Sequence, residues 1–389
     1  MDDVTRGVDS LLVVSIVAAL APFVAGLLPG SRIPQVVIMI VGGIIVGPQV
    51  LGLAETQSIE LFTNVGLGFV FLLAGYELDL AVIRESAGRL ALLAWAITAV
   101  LALGVVGLLE ATGLVRAFVP IAIALTTTAL GTLLPILRDN DMLSGRFGRY
   151  VLAAGATGEL LPIIAVALFL SANNSFVAII SLVSMGGLAF ILAFAPRILR
   201  GRRRLAEIFV AGEHATSQIT LRLSIVLLIA LIAISARFGL DVVLGAFLAG
   251  VVLHRWAPGD VRALEGNLDA VGYGFFIPVF FISSGMGLNV RSIIEAPLRL
   301  LVFFALFLMI RGLPALLVYR HALSRTERLQ MAFITATTLP LLVALAEIGL
   351  RNGTMLPENA AALVGAGVLT VMVYPAVAVA IGSRQEAKL

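Results

Sequence analysis

The length of its uncharged apolar runs constrains this chain more than any other feature. Cut at charged positions and at Pro/Gly-rich joints, the sequence yields thirteen such segments: 10–28, 33–52, 60–80, 88–110, 116–137, 147–171, 175–196, 219–236, 240–256, 268–288, 298–319, 329–349 and 359–382. A helix needs about 20 residues to cross a bilayer. In hydrocarbon its backbone groups must be satisfied within the segment. Composition agrees, with 60% hydrophobic and only 13% charged residues, where soluble domains run near ~25% charged. The expectation is an all-α polytopic membrane protein with about 13 transmembrane helices, multi-pass in the inner or plasma membrane. The sequence contains no cysteine, which removes disulfides, thiolate metal sites and cysteine nucleophiles. The first apolar run follows Asp2, Asp3, Arg6 and Asp9 rather than the basic leader of a signal peptide, so it reads as a retained helix.

Basic residues test the helix count, because they collect in cytoplasmic loops. With the N-terminus outside, the inner joints hold nineteen of the 26 Lys and Arg residues, from Arg32 through the Arg-rich joint at 197–222 to Lys388. The outer joints hold six: Arg6, Arg116, Arg237, Arg291, Arg299 and Arg351. Arg311 alone remains within a span. A miscounted helix scrambles this asymmetry, so the C-terminus is expected in the cytoplasm.

Two internal matches then divide the chain. GFVFLLAGYELDLAVIRE from Gly68 lies over PVFFISSGMGLNVRSIIE from Pro278, placing Phe71 on Phe281 and Gly75 on Gly285 at an offset of 210. LTTTALGTLLP from Leu125 lies over ITATTLPLLVA from Ile334 at an offset of 209. Each pair is seven helices apart, and an odd separation reverses orientation in the membrane. The reading is two six-helix inverted repeats, 1–172 and 219–389, joined by a linker helix and basic cytoplasmic joint at 173–218. Such repeats are a transporter device, with sites near the midplane where helices are discontinuous.

The fifth and twelfth helices, 116–137 and 329–349, carry the chemistry for discontinuity. Thr126, Thr127, Thr128, Thr132 and Pro135 lie in one, and Thr335, Thr337, Thr338 and Pro340 in the other. Threonine hydroxyls compete for backbone carbonyls and proline removes an N–H. Half-helix ends at that depth present partial charges to an ion.

Glu159 is the one ionisable residue between Val151 and Ser171. A carboxylate at mid-membrane costs ~2.5–3.5 kcal/mol on insertion scales and usually marks a site. It reads either as a protonated structural carboxyl or as a group that trades a proton for a cation. Burial disfavours the ionised form, so on the second reading proton and cation compete for one carboxylate. Thr157, Thr127, Thr128, Thr337 and Thr338 offer hard oxygens to a monovalent cation, and Gly158 lets backbone or water approach. Arg311 reads either as an arginine snorkelling to the cytoplasmic surface or as a fixed, charge-compensating cation, since arginine does not deprotonate in proteins.

Three segments carry a resemblance: RIPQVVIMIVGGIIVGPQVLGL from Arg32, LGFVFLLAGYELDL from Leu67 and LDVVLGAFLAGVVL from Leu240. They are similar to signatures of the monovalent cation:proton antiporter-2 family, and the resemblance covers almost the whole chain. It implies thirteen helices, two crossed discontinuous helices, a homodimer, a scaffold of helices one to three and eight to ten, and a moving core formed by the rest except the seventh. It also implies an acidic pair on the sixth helix, of which Glu159 matches the second member. Two departures stand out. The first member is Gly158, and the sequence ends at Leu389, where some potassium-linked members continue into a nucleotide-binding domain; the expectation is a chain without that domain, naturally short or truncated.

The expected function is therefore exchange of Na+ or K+ for a proton by alternating access, electroneutral and one for one, without a cofactor or enzymatic chemistry. A sodium-coupled solute carrier of related fold is the alternative; a membrane enzyme lacks an HExxH motif or an intramembrane histidine, and a channel would carry far larger currents. Glu77 and Asp79, at the cytoplasmic end of the third helix, read as structural or as a vestibule. His214, His254 and His321 fall in cytoplasmic joints.

Overall fold

The computed structural model describes residues 2–27, 34–78, 80–113, 117–171, 175–199, 218–256 and 261–386. Asp79, His214 and the arginines of the basic joint from 200 to 204 lie outside them. Every regular element among the described residues is helical. Among the described residues ten helices are long and apolar enough to cross a membrane, and Gln35–Val46 and Val242–Trp256 are shorter apolar ones. With the broken pair Phe118–Ala124 and Leu130–Asp139, they account for the thirteen expected spans. The eighth and ninth spans are separate helices, Ile219–Arg237 and Val242–Trp256, divided by a turn at Gly239, whose φ of 68° suits a residue without a Cβ.

In chain order the helices used below are α1 (Asp2–Leu27), α2 (Gln35–Val46), α3 (Glu60–Glu77), α4 (Leu80–Arg84), α5 (Ser86–Ala111), α6 (Phe118–Ala124), α7 (Leu130–Asp139), α8 (Gly145–Phe169), α9 (Ser175–Leu199), α10 (Ile219–Arg237), α11 (Val242–Trp256), α12 (Val261–Val271), α13 (Ile277–Met286), α14 (Val290–Glu295), α15 (Pro297–Phe307), α16 (Leu313–Val318), α17 (Arg325–Thr335), α18 (Pro340–Arg351) and α19 (Pro357–Glu386). The chain divides into two compact units. The first comprises Met1–Glu60, Asp79–Ala165 and Phe281–Leu389, and the second Leu61–Leu78 and Val166–Phe280. α1 and α2 thus belong with the broken helices, whereas the family resemblance groups them with α3.

Within each unit one helix crossing is built on reciprocal glycines. In the first, a Cβ on Gly43 of α2 would strike the Ile282 carbonyl of α13, and one on Gly285 of α13 would strike the Ile40 carbonyl of α2. In the second, a Cβ on Gly75 of α3 would strike Phe247 O of α11, and one on Gly250 of α11 would strike Leu72 O of α3. Helices in lipid gain association energy from such close backbone approach. Gly75 and Gly285 are the glycines that the internal match superposes, so both copies of the motif pack in one manner. Overfilling a packed interior costs ~1–3 kcal/mol, and here the neighbour is rigid backbone. Gly285→Val is expected to lower the melting temperature of the detergent-solubilised protein by several degrees, measured by intrinsic fluorescence. Gly186→Val, where a Cβ meets nothing within 4 Å, is expected to leave it unchanged.

Both broken helices stop and resume alike. α6 gives way to non-helical backbone over 127–129 and α17 over 337–339, after which α7 resumes at Leu130 and α18 at Pro340. The breaks are thus 210 residues apart, one more than the threonine match and equal to the offset of the glycine match. Thr128 therefore corresponds to Thr338 rather than Thr337. Pro135 does not make the first break, since it lies inside α7.

Candidate ion and proton site

Threonines end the first half of each broken helix. Thr126 and Thr127 turn their hydroxyls back onto Ile123 O and Ala124 O at 2.7 Å each. Thr335 and Thr337 do the same to Met331 O at 2.9 Å and Phe333 O at 3.0 Å. These bonds satisfy carbonyls that a continuing helix would have used. Pro340 starts α18 where its missing N–H costs nothing.

The two non-helical strands are then tied to each other. Ala129 N–H donates to Thr337 O at 2.9 Å, the Thr128 hydroxyl donates to Thr335 O at 2.6 Å, and the Thr127 and Thr338 hydroxyls are bonded together. All six threonines are at most 4% exposed. Mid-membrane backbone of this kind is tolerated only when protein or a watery cavity satisfies it, and here each strand does much of that for the other.

α8 passes against the first strand. Thr128 N–H donates to Gly158 O at 2.9 Å. The next residue is Glu159, the fifteenth of the 25 residues of α8 and 7% exposed. Thr157 directs its hydroxyl proton to Ala153 O at 2.7 Å within the same helix. The single carboxylate expected from the sequence thus sits buried, one residue from the carbonyl that receives the broken strand.

Arg311 does not snorkel. It is 3% exposed, with Nε donating to Thr128 Oγ1 and Nη2 donating to Ala154 O, both at 3.1 Å. Thr128 therefore accepts from Arg311 while donating to Thr335 O, which chains the arginine to the first strand and to the end of α17. Gly158 supplies the room, because a Cβ there would meet the Arg311 guanidinium and the Thr128 side chain. Backbone does approach at Gly158, as its residue type suggests, and the Arg311 guanidinium lies beside it.

A π-helical turn, Leu308–Gly312, carries the arginine between α15 and α16. The buried residues Phe303, Phe307, Arg311, Ala315 and Tyr319 recur every fourth position. A regular α-helix turns that stripe by ~40° per step. A turn with i→i+5 bonds absorbs part of the drift, and such turns are frequent at functional sites.

Thr370 of α19 is a member of the network that sequence reasoning missed: its hydroxyl accepts from Thr338 N–H at 3.1 Å. A lone threonine in an apolar run gives no signal of its own. Of the vestibule candidates, Glu77 is the exposed last residue of α3, in the second unit, and Asp79 lies outside the described residues.

This arrangement joins one buried carboxylate, one fixed cation and two tied strands rich in neutral oxygens. The profile described as "Sodium/hydrogen exchanger, transmembrane" matches residues 14–381. The chain belongs to the sodium/hydrogen exchanger family. Among individual relatives, Cation/H(+) antiporter 18 of Arabidopsis thaliana is 30% identical over 310 residues, covering 73% of this chain and 37% of that protein. YjbQ of Bacillus subtilis is 29% identical over 392 residues, 95% of this chain and 62% of that one. The glutathione-regulated potassium-efflux protein KefC of Klebsiella pneumoniae is 25% identical over 335 residues, 80% of this chain and 50% of that one. The chain thus spans less than two thirds of the length of each of these relatives. The solved structure of the sodium proton antiporter MjNhaP1 from Methanocaldococcus jannaschii has the same fold, with a TM-score of 0.65 and 18% identity over 97% of this chain and 96% of that one.

Proposed function

We propose that this chain exchanges Na+ or K+ for a proton by alternating access, with Glu159 as the seat for which the two compete. The observation that carries the reading is the burial of Glu159 next to Gly158, whose carbonyl holds the first of two crossed strands. A carboxylate binds either a proton or a cation, and both leave it neutral. Thr127, Thr128, Thr337 and Thr338 supply neutral oxygens around the crossing. Arg311 is a fixed positive charge that organises the site through Thr128 and Ala154 and does not release its proton during transport.

One competing site moves no net charge per cycle, so exchange is electroneutral and one for one. An imposed membrane voltage is expected to leave the rate in proteoliposomes unchanged within experimental scatter, measured with a pH-sensitive dye while the voltage is set by a lipophilic ion and the transported cation is held at fixed gradients. A steep voltage dependence contradicts the single-seat scheme. Because a protonated carboxyl cannot hold the cation, the apparent KM for the cation is expected to rise as pH falls. The rise should approach tenfold per pH unit once the proton dominates, and a KM independent of pH speaks against competition.

The rest of the reading rests on the sequence, with the repeats taken from the internal matches, the orientation from the basic residues and the dimer from the family resemblance. The two repeats are 1–172 and 219–389, joined by the linker at 173–218, with the N-terminus outside and the C-terminus in the cytoplasm of a cell expressing the protein in its inner or plasma membrane. The functional assembly is a homodimer, and Glu77 and Asp79 line a cytoplasmic vestibule. Each half is tested separately, by cysteine accessibility for orientation and by crosslinking in the membrane for the dimer.

A further inference from the structure

The two broken strands are anchored to the following helices by matched but chemically different bonds. In the first repeat Thr128 N–H donates to a backbone oxygen, Gly158 O of α8. In the second, Thr338, its counterpart 210 residues on, donates its N–H to a side chain, the hydroxyl of Thr370 in α19, at 3.1 Å. That hydroxyl directs its own proton at Thr338 O, 2.9 Å away, and Gly367 O, 2.8 Å away. Thr370 is fully buried, and Gly367 lets the strand approach, since a Cβ there would lie 3.2 Å from Thr338 O. One hydroxyl thus holds both polar groups of the Thr338 peptide positions, accepting at the nitrogen and donating at the oxygen. The residue after Gly158 is the carboxylate Glu159, whereas the residue after Thr370 is Val371. The second repeat therefore gives the site no charge through α19, only orientation.

We infer that Thr370 is a positioning residue for cation binding, a role that rests on the exchange reading above. It fixes Thr338, whose hydroxyl is bonded to that of Thr127 on the opposite strand, so the relay Thr370–Thr338–Thr127 sets where the oxygens of the crossing lie. It touches neither ion. Arg311 and Thr128 form the corresponding relay from the other side, which makes the crossing a structure clamped at both ends, once by a guanidinium and once by a hydroxyl.

Thr370→Val keeps the branched shape and removes both hydrogen-bonding functions, leaving a buried N–H without its acceptor. Thr370→Ser keeps the hydroxyl. Two measurements on the purified full chain separate the outcomes: exchange kinetics in proteoliposomes with Li+, Na+ and K+ in turn, and amide hydrogen exchange of the peptide spanning 336–342. The expected result for Thr370→Val is an apparent cation KM raised about tenfold, the size of one orphaned buried hydrogen bond, with maximal rate nearly unchanged and faster amide exchange confined to that peptide. Thr370→Ser should restore both. A Thr370→Val protein with wild-type KM overturns the proposal, whether or not its amides exchange faster, and so does a Thr370→Ser protein as impaired as Thr370→Val. Wild type that moves no protons with any of the three cations overturns the exchange reading itself, and with it the binding role of Thr370, even where the amide data still register the anchor.

Discussion

Glu159→Gln is expected to abolish cation-driven proton movement in proteoliposomes, by at least about a hundredfold relative to wild type, because no other seat for the exchange remains. Glutamine matches glutamate in shape and hydrogen-bonding reach, so α8 and its carbonyl at Gly158 stay in place, but the amide neither loses a proton nor balances a cation. Glu159→Asp keeps the carboxylate and withdraws it by one methylene, and it should retain measurable exchange with an altered cation KM. A folded, monodisperse Glu159→Gln protein that still exchanges removes the carboxylate from the mechanism, whatever its role in packing.

Arg311→Ala is the second large effect, with exchange expected to fall roughly 10- to 100-fold. The loss has two sources. The Ala154 carbonyl and the Thr128 hydroxyl each lose a charged donor, and bonds to charged groups are worth ~1.5–3 kcal/mol each. The fixed cation that holds the first strand against α8 also disappears. Arg311→Lys should recover only part of the activity, because one ammonium on a flexible stem cannot reproduce the fixed fork that serves both acceptors. Gly158→Ala provides the complementary arm without touching any charge: its Cβ occupies the place of the guanidinium and crowds Thr128. It should reproduce most of the Arg311→Ala defect. Wild-type exchange in Gly158→Ala would mean that the seat beside α8 is incidental to transport.

The sequence revealed the spans because lipid demands long apolar helices, and it revealed the broken helices because threonines recur at nearly one offset in both halves. It also isolated Glu159 and Arg311, since ionisable groups inside spans are too costly to be common. Side-chain destinations were harder to read. Snorkelling and burial both suit an arginine near the end of an apolar run, and only packing chose burial for Arg311. Its π-helical turn left a faint trace, the buried stripe at every fourth residue from Phe303 to Tyr319, which periodicity based on 3.6 residues passes over. Gly158 looked like an opening and is filled from a helix more than 150 residues away, a contact no local pattern encodes. Thr370 is one hydroxyl among alanines and valines, and its meaning depends on the strand that crosses it. The one-residue slip in the threonine match has a plain cause as well: three consecutive threonines align almost equally well in either register, and only the resumption of the helices at Leu130 and Pro340 decides between them.

The central claim is that proton and cation exclude each other at one carboxylate, and proton release on cation binding tests it most directly. Concentrated protein in detergent, weakly buffered near the midpoint of its pH profile, is titrated with NaCl or KCl against a choline chloride control while a dye reports released protons. The account predicts release that saturates with cation concentration, approaches but does not exceed one proton per chain, and vanishes in Glu159→Gln. Saturable cation binding without proton release, or release that persists in Glu159→Gln, would contradict it.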